Sequence, residues 1–123
     1  MLLFPPEHEL QFLLGKELIN VEFRPGGVHF VWWEGGEIHA FRDFDHTDAE
    51  GMCHQFGQGM WRDPASLLHR LIQRKVLALN VDDDSLTLRF DDGQSLVFRA
   101  YAGRGENGLI LFGKDISDDY IVF

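Results

Sequence analysis

Cysteine is nearly missing: Cys53 stands alone among 123 residues, so no intrachain disulfide can staple the fold, and the chain reads as the product of a reducing compartment. Long apolar runs are missing too. No stretch approaches the roughly 18 residues that span a bilayer, and the opening "MLLFPPEHEL" lacks the basic region, apolar segment and cleavage site of a secretory leader. A cytoplasmic protein with no membrane partner is expected. Cations are scarce as well, eleven against twenty acids for a formal net charge of −9. That sign argues against nucleic acid as a ligand, because phosphate contacts need Lys and Arg.

What is present suffices for a core. Hydrophobic residues make up 45% of the chain, with eleven phenylalanines, and folding at this length buries roughly two thirds of the surface the unfolded chain exposes. One β-rich domain is expected, without metals or staples.

The pattern is written twice. Pro6, Leu10 and Leu13 recur as Pro64, Leu68 and Leu71, and Ile19, Val21 and Phe23 as Leu77, Leu79 and Val81, 58 residues on. Taking "RPGG" as one residue longer than "DDD" drops the shift to 57, which lays Val31 on Leu88, Trp33 on Phe90, Gly36 on Gly93 and Phe41 on Phe98. Each copy reads as helix, strand, strand, strand. Pro6, Glu7 and Glu9 start the first helix and Gly15 ends it; Asp63 caps the second, Pro64 opens it, and Leu67, Leu68, Leu71 and Ile72 form its apolar face. In the second copy Leu86, Leu88 and Phe90 alternate with Ser85, Thr87 and Arg89, as a half-buried antiparallel strand requires, and Asp92-Gly93 suits the following hairpin turn. The first copy is apolar on both faces, with Val28, Phe30 and Trp32 alternating with Val31 and Trp33.

The fold class expected is α+β: two helix-strand-strand-strand repeats forming a curved, mostly antiparallel sheet or partly open barrel with two short flanking helices. Repeat one covers about residues 5–41, a linker 42–62, repeat two about 63–98, and C-terminal strands 99–123. The linker has no clear period and is too long for an idle connection.

That linker gathers metal-ligand types: His46, Asp48, Cys53 and His54 are candidate ligands, although the glycine and glutamate of a calcium loop are missing and the spacing matches no zinc finger. "GRGENG" (103–108) satisfies a dinucleotide-binding pattern but runs into "LILF", a strand, so no helix amides await a phosphate. His29 and His39 fall on opposing strands of the first hairpin and face each other as a hydrogen-bonded pair. No nucleophile and base are fixed by spacing, and no catalytic residue or cofactor is expected.

"FLLGKELINVEF", "LLHRLIQRKVLALNVDDDSLTLRFDDGQSL" and "ENGLILF" resemble a bacterial family of small two-repeat proteins catalogued as a domain of unknown function; "WWEGG" replaces the acidic turn in the first copy, and Gln73-Arg74 stands where that copy has Gly15-Lys16. The resemblance implies no catalytic residue. In size, charge and class the chain is also similar to immunity proteins of bacterial toxin systems, which implies occlusion of a basic active site by an acidic face.

The leading expectation is therefore a non-enzymatic protein-binding domain, an immunity-type inhibitor of a basic toxin or nuclease. Trp32, Trp33 and Trp61 serve as anchors, and Glu34, Glu37, Asp43, Asp45, Asp48, Glu50, Asp82, Asp83, Asp84, Asp91 and Asp92 as the negative face. A metal-binding enzyme or sensor built on the linker is the alternative, and a homodimer formed through an exposed strand is the third.

Overall fold

In the computed structural model the described residues are 4–57, 63–101, 107–112 and 120–123, with backbone alone for 63–66. A short helix α1 (Glu7–Leu10) runs on into a 3-10 turn (Gln11–Leu13). Three strands follow, β1 (Leu18–Arg24), β2 (Gly27–Trp32) and β3 (Glu37–Ala40), then β4 (Phe44–Thr47) and β5 (Cys53–Phe56). A 3-10 helix (Asp63–Leu71) leads to β6 (Val76–Val81), β7 (Ser85–Phe90) and β8 (Ser95–Arg99), and finally to β9 (Gly108–Leu111) and β10 (Tyr120–Val122).

Every pairing is antiparallel, as expected, but the strands form two five-stranded sheets in place of one curved sheet or partly open barrel. Their orders are β1-β2-β3-β9-β10 and β5-β4-β8-β7-β6. Each three-stranded meander is thus completed by a hairpin from the other half of the chain: β9 pairs with β3, and β4 with β8. The segment expected to be an aperiodic linker supplies β4 and β5. Of the two expected helices, only α1 has an α-helical turn, and the second runs as 3-10.

Alternation along the strands puts one apolar row of each sheet into a shared core. Phe30 of the first sheet meets Phe44 and Phe98 of the second edge-on, with ring centroids 5.6 and 5.5 Å apart, a favoured aromatic geometry. Leu10, Leu13, Leu68 and Leu71 close the core from the helical segments. Gly108, which opens β9, lies so close to the His39 carbonyl and the Phe123 ring that no side chain fits there.

The two meanders share one register. Leu18 pairs with Trp32 and Val76 with Phe90, each first strand having an irregularity just after that pair. Where the sheets meet edge to edge at the Glu17–Lys75 bridge, the backbone bonds come in matched pairs. Gly15 N–H donates to Val76 O and Gln73 N–H to Leu18 O; Trp33 N–H donates to Glu17 O and Asp91 N–H to Lys75 O. The shift is 58 throughout, which corrects the expected drop to 57: Arg24 pairs with Gly27 as Asp82 bonds to Ser85, so the turns are equally long. Trp32 matches Phe90, and Trp33 matches Asp91. A one-residue slip in a strand turns every side chain to the other face.

Gln73 occupies the position of Gly15, and both have left-handed backbones, φ +74° and +78°. Glycine accepts that conformation without the clash of a Cβ. Gln73→Gly is therefore expected to stabilise the fold by up to about 1 kcal/mol. Urea unfolding checks it, and a loss of stability contradicts the assignment.

Candidate functional site

The outer faces of the two sheets differ in chemistry. On the first, register aligns Val31, Glu37, Leu111 and Tyr120 across four strands, and beside them His29, His39, Leu109 and Val122. Trp33 continues the outward alternation past β2 and is 59% exposed, while Tyr120 at the far edge is 61% exposed. On the second sheet the corresponding rows read Thr87, Val97, Asp45 and Gln55, then Arg89, Ser95, Thr47 and Cys53. That face is more polar, with Arg99 bonded to Asp45 at 2.6 Å and its pKa raised by that bond, yet it also carries Val97 and the exposed Leu77 beside Thr87 and Arg89. The first face exposes Trp33 at one side and Tyr120 and Val122 at the other, with half-buried Val31, Leu109 and Leu111 between them.

Of the expected anchors among the described residues, Trp33 alone is placed for contact. Trp32 is 1% exposed and faces the core, so it offers a partner no surface; alternation sends adjacent residues to opposite sides. Trp61 lies outside the described residues.

The expected acids are not gathered into one face. Glu34 and Glu37 flank Trp33, Glu34 with a left-handed backbone in the turn. Asp82, Asp83 and Asp84 lie at one end of β7, and Asp91 and Asp92 at the other. Several are engaged internally: Asp43 accepts from the Tyr101 hydroxyl, Asp45 from Arg99, and Asp92 from the Gln94 amide at 2.7 Å. Asp48 accepts backbone N–H bonds from Glu50 and Met52, which shapes the β4–β5 turn, and a third bond from His54. These bonds, Met52's first, hold its pKa below the usual value. Glu50 stays exposed on that turn.

The four expected metal ligands do not converge as one set, although His54 reaches Asp48 and its ring lies 6.1 Å from that of His46. His54 bonds Asp48 at 3.1 Å, His46 turns to Gln94 at 2.8 Å, and Cys53, next to His54 on the strand, points to the opposite side and is exposed. His46 is completely buried. The Gln94 amide nitrogen donates to Arg70 O and Asp92, so its oxygen faces His46 and fixes the proton on Nε2. Nδ1 is buried with no partner among the described residues.

Among the described residues, the group of His, Cys, Asp or Glu with ion-binding proximity is His29, Glu37 and His39, whose ligand atoms lie within 4.8 Å of one another. His29 and His39 face each other directly, as the hairpin pattern predicts. Their rings do not bond to one another but stack, centroids 3.5 Å apart and planes 1° from parallel. Glu37 bonds His39 Nε2 at 2.9 Å, and Glu22 lies 4.0 Å from His29 Nδ1. Burial and the neighbouring His39 lower the pKa of His29. Glu22 is held ionised by its bond to Arg24. Sequence reasoning found the histidine pair but missed the carboxylates beside it, although Glu37 and His39, two apart on a strand, had to share a face.

Burial also lowers the pKa of His46. The unfolded chain then binds a proton near the ordinary histidine value of about 6.5 that the folded chain refuses, so stability rises with pH across that window and is lost as pH falls below it. Urea midpoints should therefore decrease from pH 7 to pH 5, and His46→Gln should flatten the decrease even though it lowers stability overall. Equal slopes for the two proteins would show that His46 is not held neutral by burial.

No protein-family model, curated protein or solved structure matches the chain.

Proposed function

We propose that the chain is a non-enzymatic protein-binding domain that engages a basic protein through the outer face of its first sheet. The observation that carries this reading is the pair of exposed aromatics on that sheet, Trp33 and Tyr120, with half-buried Val31, Glu37 and Leu111 between them, set against Arg89, Ser95, Thr47 and Cys53 in the same place on the second sheet. Tryptophan and tyrosine serve as anchors because they bury large areas at low entropic cost, and carboxylates at the rim steer an oppositely charged partner. Glu34, exposed in the turn beside Trp33, supplies such a carboxylate, Glu37 adds another within the row itself, and the net charge of −9 favours a basic partner over an acidic one. An immunity-type inhibitor that covers a toxin's basic active site is the form suggested by the similarity to immunity proteins in size, charge and class. The shared 58-residue shift supports reading the chain as two related units, one of which carries the interface.

Immobilised chain should capture a basic protein from native lysate at low salt and release it at high salt, as an electrostatically steered contact requires. With that partner purified, Trp33→Ala should weaken binding by at least about tenfold, the loss typical of a central aromatic anchor, while Arg89→Ala on the opposite sheet leaves it unchanged. Equal loss from both substitutions, or light scattering that shows the chain pairing only with itself, overturns the proposal.

A further inference from the structure

On the first sheet's outer face, two imidazoles and two carboxylates lie together across β1, β2 and β3, with the polar Asn20 and Arg24 of β1 on one side and the apolar Leu109 and Leu111 of β9 on the other. A sheet histidine needs one hydrogen-bond partner, and His39 has one in Glu37; that need does not account for a second imidazole stacked on the first or a second carboxylate behind it.

We propose that His29, His39 and Glu37 bind one divalent transition-metal ion of borderline softness, with zinc as the type, and that Glu22 orients His29 for it. Two imidazoles and one carboxylate are a donor set suited to such ions, leaving a position for water. Separations decide whether it fits. A tetrahedral ion with bonds of about 2.0 Å holds its ligand nitrogens about 3.3 Å apart, and the stacked rings stand 3.5 Å apart with all three ligand atoms inside 4.8 Å. The 3.5 Å is a separation of ring centroids, and because each lone pair lies in its own ring plane the parallel rings must tilt toward a common point for both to reach the ion, which replaces the proton between His39 and Glu37. Glu22, anchored by Asn20 and Arg24, sits toward His29 Nδ1. At 4.0 Å the contact is longer than a hydrogen bond, so Glu22 must close on Nδ1 as the ring tilts; a proton held there then leaves Nε2 free as the ligand, as where a carboxylate behind a histidine sets its tautomer.

The backbone supports the donors from both sides. His39 lies on β3, flanked by β2 and by β9, and the close approach of Gly108 to the His39 carbonyl fixes β9 beside it. The side chains are only 16% and 17% exposed for His29 and His39 and 39% for Glu37, so the ion is shielded yet reachable. At matching positions the second sheet has Thr87, Val97 and Ser95, which form no such set. The inference does not depend on the proposed protein partner, because it is tested on the isolated chain.

Equilibrium dialysis of the untagged full chain against zinc chloride, with elemental analysis, should find one zinc per chain. Removing even a residue that only orients a ligand costs roughly 10- to 100-fold in affinity, so His29→Ala or His39→Ala should cost at least about 100-fold and Glu22→Gln about tenfold. His54→Ala should leave binding unchanged. Circular dichroism checks that each variant folds, and imidazole 15N shifts of the wild-type chain on adding zinc give a readout that needs no variant: His29 and His39 should move. No stoichiometric zinc, wild-type affinity in the His29→Ala/His39→Ala double variant, or shifts confined to other histidines overturns the site.

Discussion

The exchange of hairpins between the two halves of the chain is the constraint on which everything else depends. β9 bonds to β3 and β4 to β8, so neither half completes a sheet from its own strands. Phe44, from the first half, packs in the second sheet against Phe98 and meets Phe30 across the core. Because backbone ladders satisfy polar groups that burial would otherwise leave unpaired, a half deprived of its visiting hairpin loses core packing and hydrogen bonds together. The matched bonds around Glu17 and Lys75 then fix how the meanders meet along their shared edge.

The same exchange builds the candidate surface. Its histidines and Trp33 come from the first half, and Leu109, Leu111, Tyr120 and Val122 arrive with the second. Two similar scaffolds therefore present different chemistry: His29 and His39 stand where the other meander has Thr87 and Val97. Fold and site separate here, since shared geometry supports a face with two histidines and exposed aromatics on one sheet and a face with neither on the other. No helix among the described residues is long and apolar enough to cross a membrane.

Local pattern made much of this legible. The alternation of Leu86, Leu88 and Phe90 and the turn at Asp92-Gly93 identify the second hairpin, and the hairpin centred on Glu34 places His29 opposite His39. The core positions Leu10, Leu13, Leu68 and Leu71 follow from helical spacing. What failed was non-local or one residue fine. Counting the first turn as one residue too long moved Trp33 onto Phe90 and left the orientation of Trp32 open, while the observed register puts Trp32 inside. β4 and β5 escaped notice because each is four residues long and half of their inward positions are His46 and His54, polar residues that hide an apolar alternation. Nothing in local sequence specifies that β9 crosses to β3, since that pairing joins residues some seventy positions apart and is selected by packing.

Nuclear Overhauser contacts across the strand pairs test the exchange most directly. Backbone contacts are expected between His39 and Leu109 and between Ile38 and Ile110, together with contacts between His46 and Leu96. Contacts that instead place β9 against β8, with none to β3, would separate Tyr120 and Leu111 from Trp33 and the histidine pair, and would contradict both the fold and the surface built on it.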